Sequence, residues 1–198
     1  MNPRLRRLQA DYDLVREVFS GHPHVTVQAV GTQLPPERYH VAFRLRGLYL
    51  AGDQPDYQDF HEVEISLPLH YPSEKPYVVP LTPIFHPNIR DYYCIADYWA
   101  AGTTLPDVIV KLGDMIQWRI YNPQSPLDAI AAKWAVEQEP SGLFPIGNVD
   151  LAVADFDIAL RSRATPLAPL DGDGAPPESD DDDDVLVLVR PVGTEAGR

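Results

Sequence analysis

The sequence has very little cysteine and lysine. Its 198 residues include one cysteine, Cys94, and three lysines against thirteen arginines. A single cysteine cannot form an internal disulfide, so the sulfur of Cys94 either fills the core or carries out chemistry. The low lysine content reflects either genomic base composition or an enzyme that modifies lysines and gains from offering few of its own.

Long apolar runs are also missing. No stretch approaches the roughly 18 apolar residues of a membrane span, and residues 1–7 lack the apolar segment of a secretion signal. We therefore expect a cytoplasmic protein without a membrane partner. Because the sequence has no glycine-rich phosphate loop, we expect no bound nucleotide and no other cofactor.

Acidic side chains outnumber basic ones by 29 to 16, which gives a net charge of −13. Residues 141–198 hold 12 acidic and 4 basic side chains, and so carry −8 of that charge. A chain of this charge repels phosphate backbones, so nucleic acid is not an expected partner. His22 and His24 have a spacing seen in some metal sites, but no acidic or thiol companion is nearby, and we expect no metal.

The first part of the chain predicts an α+β architecture, with an N-terminal helix followed by a four-stranded antiparallel meander. Asn2 and Pro3 are suited to start an amphipathic helix that ends near Gly21. Alternating apolar residues predict three strands with one buried face. These strands cover 25–29, 39–45 and 61–67, with an acidic loop at 52–56, and Tyr77–Val79 supplies a short fourth strand.

Helices are predicted beyond the cysteine. Thr104 and Asp107 form the signature of a helix cap, and the apolar pattern that follows continues to Ile120. Ser125 and Pro126 predict the start of a third helix. Its expected core side consists of Leu127, Ile130, Ala131 and Trp134. A weaker helix over 149–160 completes a catalytic domain that we place at 1–163.

The remainder of the chain is predicted to be non-globular. Residues 164–184 are rich in Pro, Gly and Asp, and cannot bury enough apolar surface to offset the entropy of ordering. The apolar tail, residues 185–198, follows directly after five aspartates and begins with Val185, Leu186, Val187, Leu188 and Val189. This tail either packs back on its own sheet or adds a strand to the sheet edge of a partner.

The neighbours of Cys94 include a turn and an amide. His86-Pro87-Asn88 places both six residues or more before the thiol, close enough for one loop to bring amide and sulfur to the same pocket. Removing one such donor to an oxyanion costs on the order of 10² to 10³ in rate. On spacing alone, a catalytic thiol and a structural one stay equally open.

The order of these elements and motifs resembles the ubiquitin-conjugating enzyme family over roughly residues 4–139. Tyr71-Pro72 with Lys75-Pro76 resembles the family segment Tyr-Pro-x-x-Pro-Pro, and the His-Pro-Asn turn follows at the matching distance. Residues 122–127, Asn-Pro-Gln-Ser-Pro-Leu, resemble the family segment Asn-Pro-x-Asp/Ser-Pro-Leu. Each motif is weak alone, but together and in this order they form a specific signal.

The resemblance implies a carrier enzyme. Such an enzyme accepts a ubiquitin-like protein from an activating enzyme as a thioester on Cys94, and transfers it to an amine, usually lysine, of a target protein. It places Asn88 at the amide that stabilises the oxyanion or the loop carrying it. It places His86 and Pro87 at the turn that fixes this loop.

The resemblance also assigns roles to residues outside the turn. Ser125 falls where the family places an Asp or Ser beside the active site, and either Ser125 or Asp97 is expected to help desolvate and orient the amine. Arg4, Arg6 and Arg7 are either a solvated helix face or, as the resemblance implies, basic side chains presented to the activating enzyme.

The sequence also departs from the family pattern. The spacing from Asn88 to Cys94 is two residues shorter than the usual eukaryotic one. Ser73 and Ala100–Ala101 replace residues used to bind RING-type ligases, so we do not expect a RING-type ligase as a partner. The trimmed loops resemble bacterial relatives from conjugation operons, including antiviral ones, and the acidic-then-apolar tail is similar to a motif that binds SUMO-type modifiers by strand addition.

Two alternatives accompany the carrier interpretation. One is a catalytically idle relative that acts as a binding module, against which the retention of both Cys94 and Asn88 argues. The other is a cysteine hydrolase that uses Cys94, His86 and Asn88. Hydrolase families place the imidazole far from the thiol in sequence, unlike the neighbouring turn found here.

Overall fold

A computed structural model describes residues 2–96 and 98–151 of the chain, together with the backbone of Val187–Leu188. Helix α1 (Pro3–Phe19) begins as predicted, because the Oδ1 atom of Asn2 accepts a hydrogen bond from the Arg4 amide at 2.9 Å. Pro3 at the first helical position has no N–H to leave unsatisfied. The helix ends at Phe19, close to the predicted stop at Gly21.

The strands of the described residues form one four-stranded sheet and two short pairs. In chain order they are β1 (Val25–Ala29), β2 (Arg38–Phe43), β3 (Gly47–Ala51), β4 (Gln54–Gln58), β5 (His61–Ser66), β6 (Tyr77–Pro80), β7 (Ile120–Tyr121) and β8 (Val187–Leu188). The larger sheet has the order β1-β2-β5-β6, and every pairing in it is antiparallel. The predicted four-stranded antiparallel meander within an α+β architecture is therefore confirmed.

The acidic loop predicted over 52–56 is wrong in part. Gly52 and Asp53 make a tight turn, with Gly52 at φ +64°, but residues from Gln54 onward form β4, paired with β3. The sequence does not predict β4, because this strand lacks apolar alternation and contains Pro55. Pro55 lies opposite Leu50 in a two-stranded pair.

The core lies between the helices and the larger sheet. On β2 and β5 alternate side chains are buried, and the register sets Val41 opposite Val63 and Tyr39 opposite Ile65. These side chains share one apolar cluster with Leu8 of α1 and with helix α2 (Leu105–Ile116). The cluster fixes α2 relative to the sheet.

Helix α2 begins as predicted but ends earlier. The Thr104 hydroxyl and the Asp107 carboxylate form a reciprocal capping box, with the Thr104 amide 2.7 Å from Asp107 Oδ2. The helix stops at Ile116, because Trp118 adopts a φ of +57°, outside the helical region. Ile120, predicted as the last residue of the helical pattern, lies in β7 instead.

The predicted start of the third helix is wrong. Helix α3 covers Ala129–Gln138, and its cap is Asp128, whose carboxylate accepts from the amides of Ile130 and Ala131. Of the predicted core side, Ala131 is buried and Trp134 packs against Trp118, as expected, whereas Ile130 is 68% exposed. The buried side chains of the helix are Ala131, Ala132 and Ala135.

The helix predicted over 149–160 falls largely outside the described residues, and residues 149–151 are in no helix. The domain boundaries at 163 and 184 also lie outside them. In the ranges that the structure describes, no helix combines the length and apolar character needed to cross a membrane.

Candidate active site

Cys94 sits on a loop that is anchored on both sides. Its neighbours Tyr93 and Ile95 are buried, and the Tyr93 amide donates to the Val78 carbonyl of β6 at 2.9 Å. The alternation leaves Cys94 half-buried, facing away from the core. The Cys94 amide donates to the Asn88 carbonyl at 2.9 Å, which ties the thiol to the His-Pro-Asn turn.

The Asn88 side chain is buried and fully engaged. Its Nδ2 donates to the carbonyl of Asn122 at 2.9 Å and to that of Ser125 at 3.2 Å, while Oδ1 accepts from the Asn122 amide at 2.7 Å. All three contacts reach the backbone of the segment after β7. In this arrangement the amide holds the loop beside the thiol, and both of its donors are committed.

His86 is buried and neutral. Its Nδ1 accepts from the Asn88 amide at 3.1 Å, which leaves Nε2 to carry the proton and donate to the Ile120 carbonyl at 3.1 Å. Burial against the Trp118 ring, 5.0 Å away between centroids, lowers the pKa of His86 to about 3. The imidazole therefore has no spare lone pair with which to take a proton from Cys94.

Pro87 completes the contact between the turn and the following segment. Its carbonyl accepts from the amides of Leu127 and Asp128, at 2.8 and 2.9 Å. With His86 bound to β7 and Asn88 to the segment after it, each residue of the turn holds part of 120–128. The turn therefore positions the wall that faces Cys94.

The thiol opens into a small cleft of about 30 Å³. The described residues that line it are Asn88, Cys94, Ile95, Ala96, Lys111, Met115, Ile120, Asn122 and Ser125. A volume of this size has room for a water molecule or two. Any larger reactant must therefore approach the thiol from the open side of the cleft.

The structure brings together four of the five predicted catalytic residues, namely Cys94, Asn88, His86 and Ser125. Ser125 lies at the rim of the cleft, and its backbone carbonyl is one of the acceptors that hold Asn88. Asp97 lies outside the described residues. The main structural feature of this candidate site is that the Cys94 thiol, the His-Pro-Asn turn and residues 122–125 lie close together.

Two of the three predicted partner-binding arginines are held within the molecule. The Arg4 guanidinium lies 2.6 Å from the Glu37 carboxylate and 3.0 Å from the Pro68 carbonyl. The Arg7 guanidinium binds the buried carboxylate of Asp11 at 2.7 Å and donates to the carbonyls of Ala101 and Thr103.

These contacts join α1 to the loop before α2, because Asp11 also accepts from the Leu105 amide at the start of that helix, at 3.1 Å. The Arg6 guanidinium is exposed and makes no hydrogen bond or ion pair with the described residues; the backbone amide of Arg6 donates to the Asn2 carbonyl, at 3.1 Å. Of the three arginines, Arg6 is the one whose charged group faces solvent freely.

The predicted apolar tail is described at two positions. The backbone of Val187 pairs with Tyr121, and that of Leu188 pairs with Ile120, so β8 extends β7 as an antiparallel partner. Val185, Leu186 and Val189 lie outside the described residues. The pairing is within the chain, and it involves β7 rather than the larger sheet.

Sequence reasoning missed two lysines at the site. Lys111 of α2 lines the cleft, and the Nζ of Lys75 donates to the Ala96 carbonyl at 2.6 Å. Lysine scarcity was the available signal, but the positions of the three lysines relative to Cys94 depend on the fold. Helical spacing places Lys111 on α2 without showing that this face borders the thiol.

Comparison with known proteins gives one match in sequence. No family model matches the sequence. Over 85 residues, 40% of this chain, the sequence is 34% identical to ubiquitin-conjugating enzyme E2 21 of Caenorhabditis elegans, and the match covers 39% of that protein. The chain thus spans about two fifths of the length of this relative.

Among solved structures, the chain is similar to the E2 domain of a ubiquitin conjugating enzyme from Toxoplasma gondii. The TM-score is 0.46 at 22% sequence identity, with 70% of this chain and 88% of that chain covered.

Proposed function

We propose that this chain is a carrier enzyme. It accepts a ubiquitin-like protein from an activating enzyme as a thioester on Cys94, and transfers it to an amine of a target protein. The observation that carries the proposal is the half-buried thiol in a cleft whose wall, residues 120–128, is held by the His-Pro-Asn turn. The sequence similarity to a ubiquitin-conjugating enzyme supports it.

The chemistry needs little from the protein in the first step. The Cys94 thiolate attacks the carbonyl of the activating enzyme's thioester; a new C–S bond forms, and the old C–S bond breaks as that enzyme's sulfur leaves with the electron pair. One sulfur ester replaces another, so the exchange is nearly balanced. Neither step involves oxidation or reduction.

In the second step a deprotonated amine attacks the carbonyl of the Cys94 thioester. A C–N bond forms, an oxyanion develops, and Cys94 departs as the thiolate while the amine nitrogen loses a proton. Either Ser125, at the rim of the cleft, or Asp97 is proposed to orient and desolvate the incoming amine. Asn88 acts mainly by holding the segment that carries Ser125.

The geometry of His86 argues against the cysteine hydrolase alternative. A hydrolase needs a base beside the thiol. Both ring nitrogens of His86 are used in holding the Asn88 amide and the Ile120 carbonyl, and burial keeps its pKa near 3. A residue so placed is a structural support rather than a general base.

The proposed partners are the activating enzyme, the ubiquitin-like modifier and the target protein. Of the three arginines proposed to contact the activating enzyme, Arg6 is the exposed one, since Arg4 and Arg7 are bound within their own chain. The absence of a RING-type ligase and an origin in a bacterial or antiviral conjugation operon stay predictions.

The test is intact-mass analysis of the full chain isolated from its native cells, with and without reductant, beside two variants. The carrier proposal predicts an adduct the size of a small domain that is removed by thiol reagents. Cys94→Ala should carry no adduct, and Cys94→Ser should carry one that resists thiol because an oxygen ester replaces the thioester. If no adduct forms even with the neighbouring genes co-expressed, the idle binding-module alternative replaces the carrier.

A further inference from the structure

Two of the chain's three lysines contact residues of the cleft that Cys94 lines, and they belong to different elements. Lys111 projects from α2 into the lining of the cleft. Lys75 comes from the proline-rich segment before β6, and its Nζ binds the carbonyl of Ala96, another residue of the cleft lining, at 2.6 Å. Lys133 lies apart on α3, with its Nζ 3.9 Å from the Glu137 carboxylate.

Charged side chains are scarce among the described residues around the thiol. The lining is contributed by the Cys94 loop, α2, β7 and the 122–125 segment, and among its described members Lys111 is the one ionisable side chain besides the thiol. On α2, Asp107 is bound in the helix cap and the Asp114 carboxylate lies 3.1 Å from the Arg119 guanidinium.

On the Cys94 loop itself, Asp91 and Tyr92 are exposed, while burial raises the pKa of Tyr93 and keeps it neutral. Asp97, on the other side of the thiol in sequence, lies outside the described residues. His86, behind the loop, is buried and neutral.

Neither the neutral His86 nor the Asn88 amide supplies a positive charge to the thiol. The thiolate is the nucleophile, and neighbouring cations increase its share at neutral pH. Lys111, which lines the cleft, and Lys75, which binds the Ala96 carbonyl, are the lysines placed to supply this positive charge.

We propose that Lys111 and Lys75 are positioning residues that favour the thiolate form of Cys94. Their positive charges stabilise the negative charge on sulfur when the thiolate attacks and when it leaves. The proposal refines the proposed carrier function and rests on it. The test is independent of that function, because thiol reactivity is measured on the isolated chain without an activating enzyme or modifier.

The experiment measures the rate of Cys94 alkylation by iodoacetamide from pH 6 to 10 in the full chain. Since Cys94 is the single cysteine, the measured rate belongs to it alone. Lys111→Met and Lys75→Met should each slow alkylation at pH 7 by about threefold, and the double variant by about tenfold, as expected for a rise of half to one pH unit in the thiol midpoint. At pH 10 all rates should converge.

Lys133→Met is the matched control, because it makes the same change in net charge away from the cleft. The alkylation rate and midpoint of Lys133→Met should match those of the unsubstituted chain. Lys111→Arg and Lys75→Arg should also match the unsubstituted chain in both quantities. If a methionine variant fails to fold, 1 M salt replaces it: screening should slow alkylation of the unsubstituted chain at pH 7.

An unchanged midpoint in the double variant, or an equal shift in Lys133→Met, overturns the proposal. So does a salt-insensitive rate. A chain whose midpoint depends on Lys111 and Lys75 but which never forms a Cys94 adduct in cells overturns the carrier function alone.

Discussion

At the scale of single residues, Asn88 connects the thiol loop to the segment that carries Ser125. Its amide makes three hydrogen bonds to the backbone of residues 122–125, and its carbonyl accepts from the Cys94 amide. An amide in that state cannot donate to an oxyanion without giving up a loop contact. Its contribution is therefore mainly to hold the cleft wall in place.

This role predicts the effect of Asn88→Ala on stability. The substitution leaves a buried amide and two carbonyls without their partner, and each unsatisfied group costs about 1–3 kcal/mol unless water reaches it. We expect a loss of about 2–4 kcal/mol in the free energy of unfolding, measured by urea denaturation. Asn148→Ala, at an exposed position, is the control and should change stability by less than about 0.5 kcal/mol. Equal stability of the two variants would contradict the holding role.

The sequence identifies which residues surround the thiol better than what they do. The motif spacing gathers Cys94, His86, Asn88 and Ser125 correctly, since a short loop and a proline-punctuated segment restrict where these side chains lie. It does not reveal that the Asn88 donors are occupied, because the acceptors are backbone carbonyls that any residue carries. For the same reason the inward contacts of Arg7 to Ala101 and Thr103 leave no trace in sequence.

At the scale of elements, β7 lies between the His-Pro-Asn turn and the described part of the C-terminal tail. The Ile120 carbonyl and the Asn122 amide point to His86 and Asn88. Because successive residues of a strand direct their backbone groups to opposite edges, the N–H and C=O of Tyr121 face the other edge, where Val187 pairs with it. Each backbone hydrogen bond of this pair contributes about 0.5–1.5 kcal/mol to the pairing of β8 with β7.

This arrangement predicts a local change in amide exchange for Val187→Pro. Proline removes the Val187 N–H and with it one bond of the pair. We expect hydrogen exchange at the Tyr121 amide, followed by NMR, to become about tenfold faster, while the Asn122 amide, bound to Asn88, keeps its protection. Thr194→Pro, beyond the paired residues, is the control and should leave both amides unchanged. Identical Tyr121 exchange in all three chains would show that the tail does not dock on β7.

Elements with a strong internal signal are the ones that sequence predicts. The Thr104–Asp107 capping box and the alternating apolar residues of β2 and β5 can be recognised from the local sequence alone. Three features are not predicted: the β3–β4 hairpin, whose second strand lacks apolar alternation, the Asp128 cap, which follows the competing Ser125–Pro126 signal, and the end of α2 at Ile116. The end of α2 depends on packing. Trp118 is fully buried in an aromatic cluster against Phe144 and Trp134, and that packing supports its left-handed backbone.

At the scale of the whole molecule, buried neutral histidines couple folding to pH. Burial lowers the pKa of His86 to about 3, and burial also lowers the pKa of His61. Three carboxylates act in the same direction at lower pH, because hydrogen bonds and ion pairs with arginines lower the pKa values of Glu37, Asp59 and Glu64. Asp114, whose pKa burial raises, acts in the opposite direction.

The sign of the His86 effect follows from where the proton binds. Above about pH 6.5 the imidazole is neutral in both folded and unfolded chains, and its contribution to stability is fully present. As the pH falls below 6.5 the unfolded chain takes up a proton that the folded chain excludes until about pH 3. The free energy of unfolding should therefore decrease by about 1.4 kcal/mol per pH unit from this residue across that window.

The variant His86→Gln separates this effect from general acid sensitivity. It should be less stable at pH 7, because the contacts to the Asn88 amide and the Ile120 carbonyl are lost or weakened. Its urea midpoint should nevertheless fall less steeply between pH 6 and pH 4, by a slope equivalent to about one proton. His70→Gln, at an exposed position, should retain the steep slope of the unsubstituted chain. Parallel pH profiles for His86→Gln and the unsubstituted chain would mean that His86 takes up its proton equally in both states, and that its imidazole is not the neutral support of the cleft wall.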